Sequence, residues 1–441
     1  MSTDLNHLKQ VVEDLLQEAS KQGASAAEAA VSGSTGLSVN VRLGETETIE
    51  HTNDHSLGVT VYFGQRKGSA NTTDLSPAAV KETVEAACRI AKYTSEDKAA
   101  GLAEASLMAK DPEDLDLFHP WDIEATEAAE IAIQCEDAAR NYDVRITNSE
   151  GANVSTSTGD FIYGNSHGFV GGYPTSRHNL SCAVIAQEGD DMQRDYWFAT
   201  GRRNQDLEDA ESVGKRAAER SVQRLNSEKL TTRECPVLFK AELAPGLIRH
   251  LFGAIRGPAL YREASFLLDH QGKQIFPDWF NISENPLLKC GLASAPFDNE
   301  GVATKQSDVV TAGTLQRYIL DSYSARRLGM QTTGNAGGVR NVSVSNTGQN
   351  FEELLKQMDT GLLVTELMGQ GINTVTGDYS RGAAGFWVEN GQIQYPVEEI
   401  TVASNLKDMF MQLVAVGTDD QIPSSIKSGS WLIEKMTVAG N

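Results

Sequence analysis

Twice before Asn226 the chain passes from an amphipathic helix through a β-rich stretch into a second helix, and this recurring order limits its fold more than any other feature. The first round opens with Leu5, Leu8, Val11, Val12, Leu15, Leu16 and Ala19, an apolar stripe at helical spacing that Gly23 is placed to stop. The period then changes. Leu37 to Leu43, Thr46 to His51 and Gly58 to Phe63 alternate or are rich in β-formers, with Gly, Asn and Asp between them, as in an antiparallel meander. Ser76-Pro77 supplies an N-cap and a first-turn proline, and Val80, Val84, Ala87 and Ile90 give the next helix its apolar face. The second round has a helix from Asp122 to about Tyr142, a glycine-rich β region from Val144 to Thr200 and a helix from Asp206 to about Leu225. Helices and sheets that each bury one side against the other predict an α+β fold built on a doubled helix, meander, helix unit.

Between Asn226 and Pro236 the chain turns polar, which places a boundary there: an N-terminal α+β domain over 1–230 and a C-terminal, mainly antiparallel β domain over 235–441. In the second domain only Ala244 to Ile255 and Phe351 to Met358 read as helices. Its clearest hairpin joins Gly385 to Glu389 with Gln392 to Tyr395 through Asn390-Gly391, a pair suited to the positive φ angles of a two-residue turn.

A formal charge of −22 opposes contact with nucleic-acid phosphates and leaves a protein partner open. The N-terminus lacks the basic and apolar regions of a signal peptide, and no run approaches the ~20 apolar residues of a membrane span. Cys88, Cys135, Cys182, Cys235 and Cys290 form no CxxC pair and are odd in number, which predicts buried reduced thiols and a cytoplasmic location.

Several local patterns suggest chemistry that their context does not support. Gly164-Asn165-Ser166-His167-Gly168 fits the GxSxG pattern of a nucleophile elbow, but no amphipathic helix follows it; a glycine-rich loop, with Ser166 and His167 lining a groove, is the better reading. His51 and His55 have the spacing of zinc ligands on a helix, yet they sit among turn residues and read as a solvated turn. On a strand they would stand ~13 Å apart, too far to share an ion. The glycines at 334–338 and 369–371 read as turns or bulges, and Asp190-Asp191 and Glu398-Glu399 as solvated pairs. His250 lies in an apolar helix whose next turns offer Phe252, Ala254 and Ile255, none of which binds a metal, so it reads as a packed or capping histidine.

Tyr261 to Asp269, Gly291 to Asp298, Ser322 to Gly329, Thr333 to Gly338 and Gly377 to Gly385 together resemble the TldD/PmbA family, as do the Gly164 to Gly168 loop and Ser176 to Leu180. The resemblance runs over essentially the whole chain. It implies a metallopeptidase family in which a TldD subunit carries an HExxxH helix and a later cysteine ligand, paired with a PmbA (TldE) subunit. In that register His250 falls on the first histidine, Leu251 on the glutamate and Ile255 on the second histidine, and no cysteine follows Cys290. The chain therefore resembles the non-catalytic PmbA-type subunit, with no catalytic residue, no metal and no cofactor of its own.

Under this resemblance zinc belongs to a TldD-type partner, and the chain helps to form a chamber for unfolded or flexible peptides. Asp378, Ser380 and Arg381, in a loop beside the Asn390-Gly391 hairpin, are peptide-contact candidates together with Ser166 and His167. A homodimer in the partner's absence is a further expectation. The alternative is a regulatory binding protein, in keeping with the family's description as modulators of DNA gyrase.

Overall fold

A computed structural model describes residues 5–440. The doubled unit is present. Its first round comprises α1 (Leu5–Lys21), β1 (Ala26–Arg42), β2 (Glu45–Phe63), β3 (Arg66–Thr72) and α2 (Pro77–Tyr93). The second comprises α3 (Ala125–Arg140), β4 (Ile146–Asn165), β5 (Val170–Glu188), β6 (Asp191–Gly201) and α4 (Ala210–Gln223). The meanders join through antiparallel β1 and β4 into one six-stranded sheet, ordered β3-β2-β1-β4-β5-β6. Each round's first strand is central, so the rounds are related as if by a two-fold axis, and β3 and β6 form opposite edges.

Each helix pair covers its own core. Leu8, Val12 and Leu15 of α1 meet Val31, Val59 and Val84, while Ala128, Ala132, Val213 and Ala217 of α3 and α4 meet Val39, Val154 and Val184. Small residues let α3 and α4 approach closely: a Cβ on Gly214 would lie 2.0 Å from the Cys135 carbonyl oxygen. Ile90, expected on the apolar face of α2, is exposed instead. The buried stripe runs Val80, Val84, Ala87, Ala91, and Ile90 falls about 120° from Val84 on a 3.6-residue helix.

Strand lengths also depart from expectation. The two stretches Thr46–His51 and Gly58–Phe63 belong to the single strand β2, so His51 and His55 lie in a strand and not in a solvated turn. The outer part of β2 is exposed on both faces, so no alternation marks it; its ladder with β1, Leu37 to His51 and Gly33 to His55, holds it extended.

The rest of the chain comprises β7 (Arg233–Phe239), α5 (Ala244–Ile255), α6 (Gly257–Tyr261), β8 (Ile282–Glu284), β9 (Ser307–Thr311), β10 (Thr314–Leu315), α7 (Ser322–Leu328), β11 (Val342–Val344) and α8 (Phe351–Met358). These are followed by β12 (Gly361–Met368), β13 (Asp378–Glu389), β14 (Gln392–Asn405), α9 (Leu406–Met411), β15 (Leu413–Val416), β16 (Ile426–Lys427) and β17 (Trp431–Ala439). One sheet runs β14-β13-β12-β7-β17-β15, and β17 also pairs with β14 at Thr401 to Ala403, closing five of its strands on themselves. A smaller sheet runs β10-β9-β8-β11-β16. The hairpin turn at Asn390 and Gly391 has φ angles of 52° and 69°, as its residues require. The helices α6, α7 and α9 went unpredicted because five to seven residues are too few to display a helical period.

Cys88, Cys135, Cys182 and Cys235 are buried thiols. Cys290 is not: it sits partly exposed in a surface loop. No described helix is long and apolar enough to cross a membrane.

Candidate functional site

The apolar composition of α5 seats it in the C-terminal core, with Leu247, Ile248, Leu251, Ala254 and Ile255 buried and Arg249 exposed. His250 is half-buried, its ring meeting Tyr379 edge-on with centroids 6.0 Å apart. Burial, and then the charges of Arg381 and Arg249, push the imidazole pKa below its ordinary value, so the ring is neutral at neutral pH. Leu251 and Ile255 have no exposed surface and pack into the core. Among the described residues, no group of three His, Cys, Asp or Glu donors includes His250. A zinc ion of the HExxxH type does not fit the residues at these positions.

Beside His250, the Tyr379 hydroxyl is buried without a hydrogen-bond partner. Its neighbours Asp378, Ser380 and Arg381 lie on the first residues of β13 and not in a loop. They pair in register with Asn405, Ala403 and Val402 of β14, and the loop ends just before them at Gly377. Asp378 accepts hydrogen bonds from Thr376 Oγ1 at 2.6 Å and Asn405 Nδ2 at 3.2 Å, and Arg381 donates to the Leu367 carbonyl at 3.3 Å. Ser380 is exposed. Ser166 and His167 occupy the turn between β4 and β5, with no helix after it. Ser166 Oγ accepts from the Ala27 amide at 3.1 Å, and His167 Nε2 lies 3.1 Å from the Ala103 carbonyl oxygen. These bonds tie the turn to the N-terminal region, and no described hydrogen bond links it to Asp378, Ser380 or Arg381.

A feature that the sequence did not reveal borders α5 at Arg249, next to His250. A cleft of about 650 Å³ opens between β6 and α4 on one side and α5 and β12 on the other. Arg177, Arg194, Arg220, Arg224 and Arg249 line it, against three carboxylates, Asp195, Glu242 and Glu366. Arg220 bridges Asp195 at 3.1 Å and Glu242 at 2.8 Å. Burial works against its charge, but the two carboxylates outweigh it and raise its pKa. Arg216 and Arg220 both lie over the Trp197 ring, at 4.6 and 5.3 Å. The spacing of Arg216, Arg220 and Arg224 is helical and was the one available signal; the carboxylates they meet are distant in sequence.

Two buried polar atoms in the cleft wall, Glu242 Oε2 and Thr200 Oγ1, have no partner. The strand β6 pairs with β5 alone, so its other edge borders the cleft. Side chains cap part of that edge: Arg224 donates to the Arg194 carbonyl at 3.2 Å, and the Tyr196 amide donates to Asp195 at 2.7 Å. A strand edge, an excess of cationic side chains and unpaired acceptors together suit an extended, polar chain.

Family models for the PmbA/TldA metallopeptidase match the chain in three segments: domain 1 over residues 27–91, the central domain over 118–225 and the C-terminal domain over 232–440. The chain belongs to the PmbA/TldD metallopeptidase family. It is 52% identical over 433 residues to the metalloprotease PmbA of Escherichia coli O157:H7, covering 98% of this chain and 96% of that one. It is also 52% identical over 435 residues to a PmbA homologue of Haemophilus influenzae, with 98% and 96% covered. A Bacteroides thetaiotaomicron crystal structure, solved as a candidate modulator of DNA gyrase, superposes with a TM-score of 0.94 at 26% identity over the full length of both chains. TldE of Thermococcus kodakarensis shares the fold, with a TM-score of 0.85 at 22% identity, covering 98% of this chain and 100% of that one.

Proposed function

We propose that this chain is the non-catalytic PmbA (TldE) type subunit of a heteromeric zinc metallopeptidase. Zinc and the HExxxH helix belong to a TldD-type partner, and this chain helps to enclose unfolded or flexible peptides in the cytoplasm. The observation that carries the reading is α5 itself: His250 stands with Leu251 and Ile255, both fully buried and without a donor atom, where a metallopeptidase needs a carboxylate and a second ligand. The arginine-lined cleft supports the peptide-binding part. An extended peptide laid along β6 would gain main-chain hydrogen bonds whatever its side chains, and the arginines would favour segments carrying carboxylates. Asp378, Ser380 and Arg381, which flank the Tyr379 that meets His250, are further contact candidates.

The test compares the chain alone, with a TldD-type partner, and with that partner carrying a mutated HExxxH helix, measuring zinc content and hydrolysis of an unstructured peptide. Hydrolysis should require the intact partner. Zinc-dependent hydrolysis by this chain alone, lost in His250→Ala, would sink the reading. Arg249→Ala removes an exposed cleft side chain that takes part in no ion pair among the described residues, and it should weaken peptide capture several-fold without altering the fold. A second reading, a regulatory protein acting on DNA gyrase or its inhibitors, is favoured by the description of the Bacteroides structure. Gyrase binding that persists without the partner, together with no contribution to hydrolysis, would select it.

A further inference from the structure

The connection from α2 to α3 crosses the C-terminal half at a loop containing Cys290, and there three side chains of different chemistry converge. Cys290 Sγ lies 3.0 Å from Asp116 Oδ2 and 3.8 Å from His119 Nε2, and His119 Nε2 lies 3.2 Å from Asp116 Oδ1. Among the described residues this is the one group of three His, Cys, Asp or Glu donors close enough to share an ion. A tetrahedral zinc centre, with bonds of ~2.3 Å to sulfur and ~2.0 Å to nitrogen or oxygen, requires donor separations of roughly 3.3–3.6 Å. The Cys290–His119 edge is 3.8 Å, and the two Asp116 oxygens reach one partner each, so a rotation of the carboxylate that presents a single oxygen to both would complete the triangle.

We propose that Asp116, His119 and Cys290 form a binding site for a divalent zinc-like cation, with the fourth position left to water. The donor set of one thiolate, one imidazole and one carboxylate is one that zinc accepts and that hard cations such as magnesium do not. A bound Zn²⁺ would neutralise the thiolate and the carboxylate. Of the two nearby cations, Arg203 is already paired with Asp206 at 2.9 Å, leaving Lys289 as the main opposing charge.

The surroundings hold the donors in place without a metal. The Cys290 amide donates to the Leu115 carbonyl at 2.9 Å, joining the two segments. The His119 amide donates to Ser176 Oγ at 2.9 Å, and the His119 carbonyl oxygen lies 2.9 Å from His178 Nε2. Asp116 and Cys290 both take left-handed backbone conformations, with φ of 56° and 54°, unusual for residues other than glycine.

The same geometry argues against a cysteine nucleophile. Such a cysteine needs a base to take its proton, whereas burial and the facing carboxylate favour the protonated thiol, and the one nearby imidazole nitrogen stands 3.8 Å off, itself 3.2 Å from that carboxylate. A metal ion reverses that preference. The thiol proton passes to solvent, the imidazole proton moves to Nδ1, and the cation takes the place of both between the three donors. The ion would then staple the α2–α3 connection to the C-terminal half. This proposal is independent of the role assigned to α5.

The experiment strips the purified full-length chain with chelator and titrates it with Co²⁺, whose thiolate charge-transfer absorption reports sulfur ligation. Zn²⁺ is then used to displace it. One equivalent of Co²⁺ should bind with that absorption, and Zn²⁺ should raise the thermal midpoint. Cys290→Ser should abolish the absorption, and Asp116→Asn, which keeps the shape of the side chain, should weaken binding at least tenfold. The other four thiols are buried and should not respond. No charge-transfer band in the unaltered chain, or a band that survives Cys290→Ser, would overturn the assignment.

Discussion

Leu251→Glu places a carboxylate where the proposed register puts the glutamate of HExxxH, and it should damage this protein without moving it toward zinc chemistry. Leu251 has no exposed surface and belongs to the same core as Ile255, Phe276 and Trp431. Losing its side chain forfeits ~1.5–3 kcal/mol of apolar burial. A neutral carboxyl left there without a partner adds ~1–3 kcal/mol. Ionisation adds more. An unfolded glutamate titrates near 4.3, and burial raises the folded value by up to ~3–5 units. A raised folded pKa means that the native state holds the proton more tightly. Relative to a neutral control, stability is therefore retained below about pH 4.3 and lost as pH rises to the folded value, at ~1.4 kcal/mol per unit.

Leu251→Gln is that control, since it carries the same size and polarity but no charge. The two variants should unfold at similar urea concentrations near pH 4.5 and diverge by ~4 kcal/mol by about pH 7.5, if the folded pKa lies three units up. Domain stabilities are typically ~5–15 kcal/mol, so the glutamate variant should stand close to unfolding at neutral pH. Trp431, buried in the same core, provides the fluorescence signal. Adding Ile255→His should not add a zinc equivalent to whatever the Asp116, His119 and Cys290 group takes up, because residues five apart on an undistorted helix point ~140° from each other. A double variant, made together with Cys290→Ser to remove the other proposed cation site, that folds well at pH 7.5, shows no pH-dependent gap from its glutamine counterpart and takes up one zinc per chain would refute this prediction.

Three other perturbations test separate contacts. Burial raises the Glu300 pKa to about 7 against the opposing hydrogen bond from the Ser322 amide, so its stabilising contribution is complete below about pH 4.5 and lost as pH approaches 7. Glu300→Gln should abolish that dependence, worth ~3 kcal/mol, and raise the thermal midpoint at pH 7.5 but not at pH 4.5. Arg220→Ala removes the 3.1 Å partner of the buried Asp195 and the 2.8 Å partner of Glu242, and should cost ~3 kcal/mol, the low end for a broken buried pair because Arg224 stays 3.5 Å from Asp195, read from urea unfolding. Glu136, fully buried, accepts the Leu43 and Gly44 amides at 2.8 Å each, and Glu136→Ala should cost ~2–4 kcal/mol while accelerating hydrogen exchange at those two amides.

What could be read from the sequence was what single elements carry. The doubled unit was legible because α1, α2 and α4 each place one apolar stripe against strands whose buried stretches alternate. The outer half of β2 was not, since residues exposed on both faces leave no period and only the ladder to β1 makes them a strand. The lack of metal donors beside His250 in α5 was legible for a similar reason: a missing donor at Leu251 or Ile255 is a property of that position alone.

The cleft and the Asp116, His119, Cys290 cluster are of another kind. Arg220 meets Glu242 only because α4 and the segment after β7 are brought together, and Cys290 reads as a buried thiol because nothing near it in sequence hints at His119, 171 residues away. Periodicity predicts which face of an element is apolar and says nothing about which polar side chains meet across two elements. Absence of a site can therefore be argued from a few consecutive residues, whereas presence of one requires the contacts that only the folded chain provides.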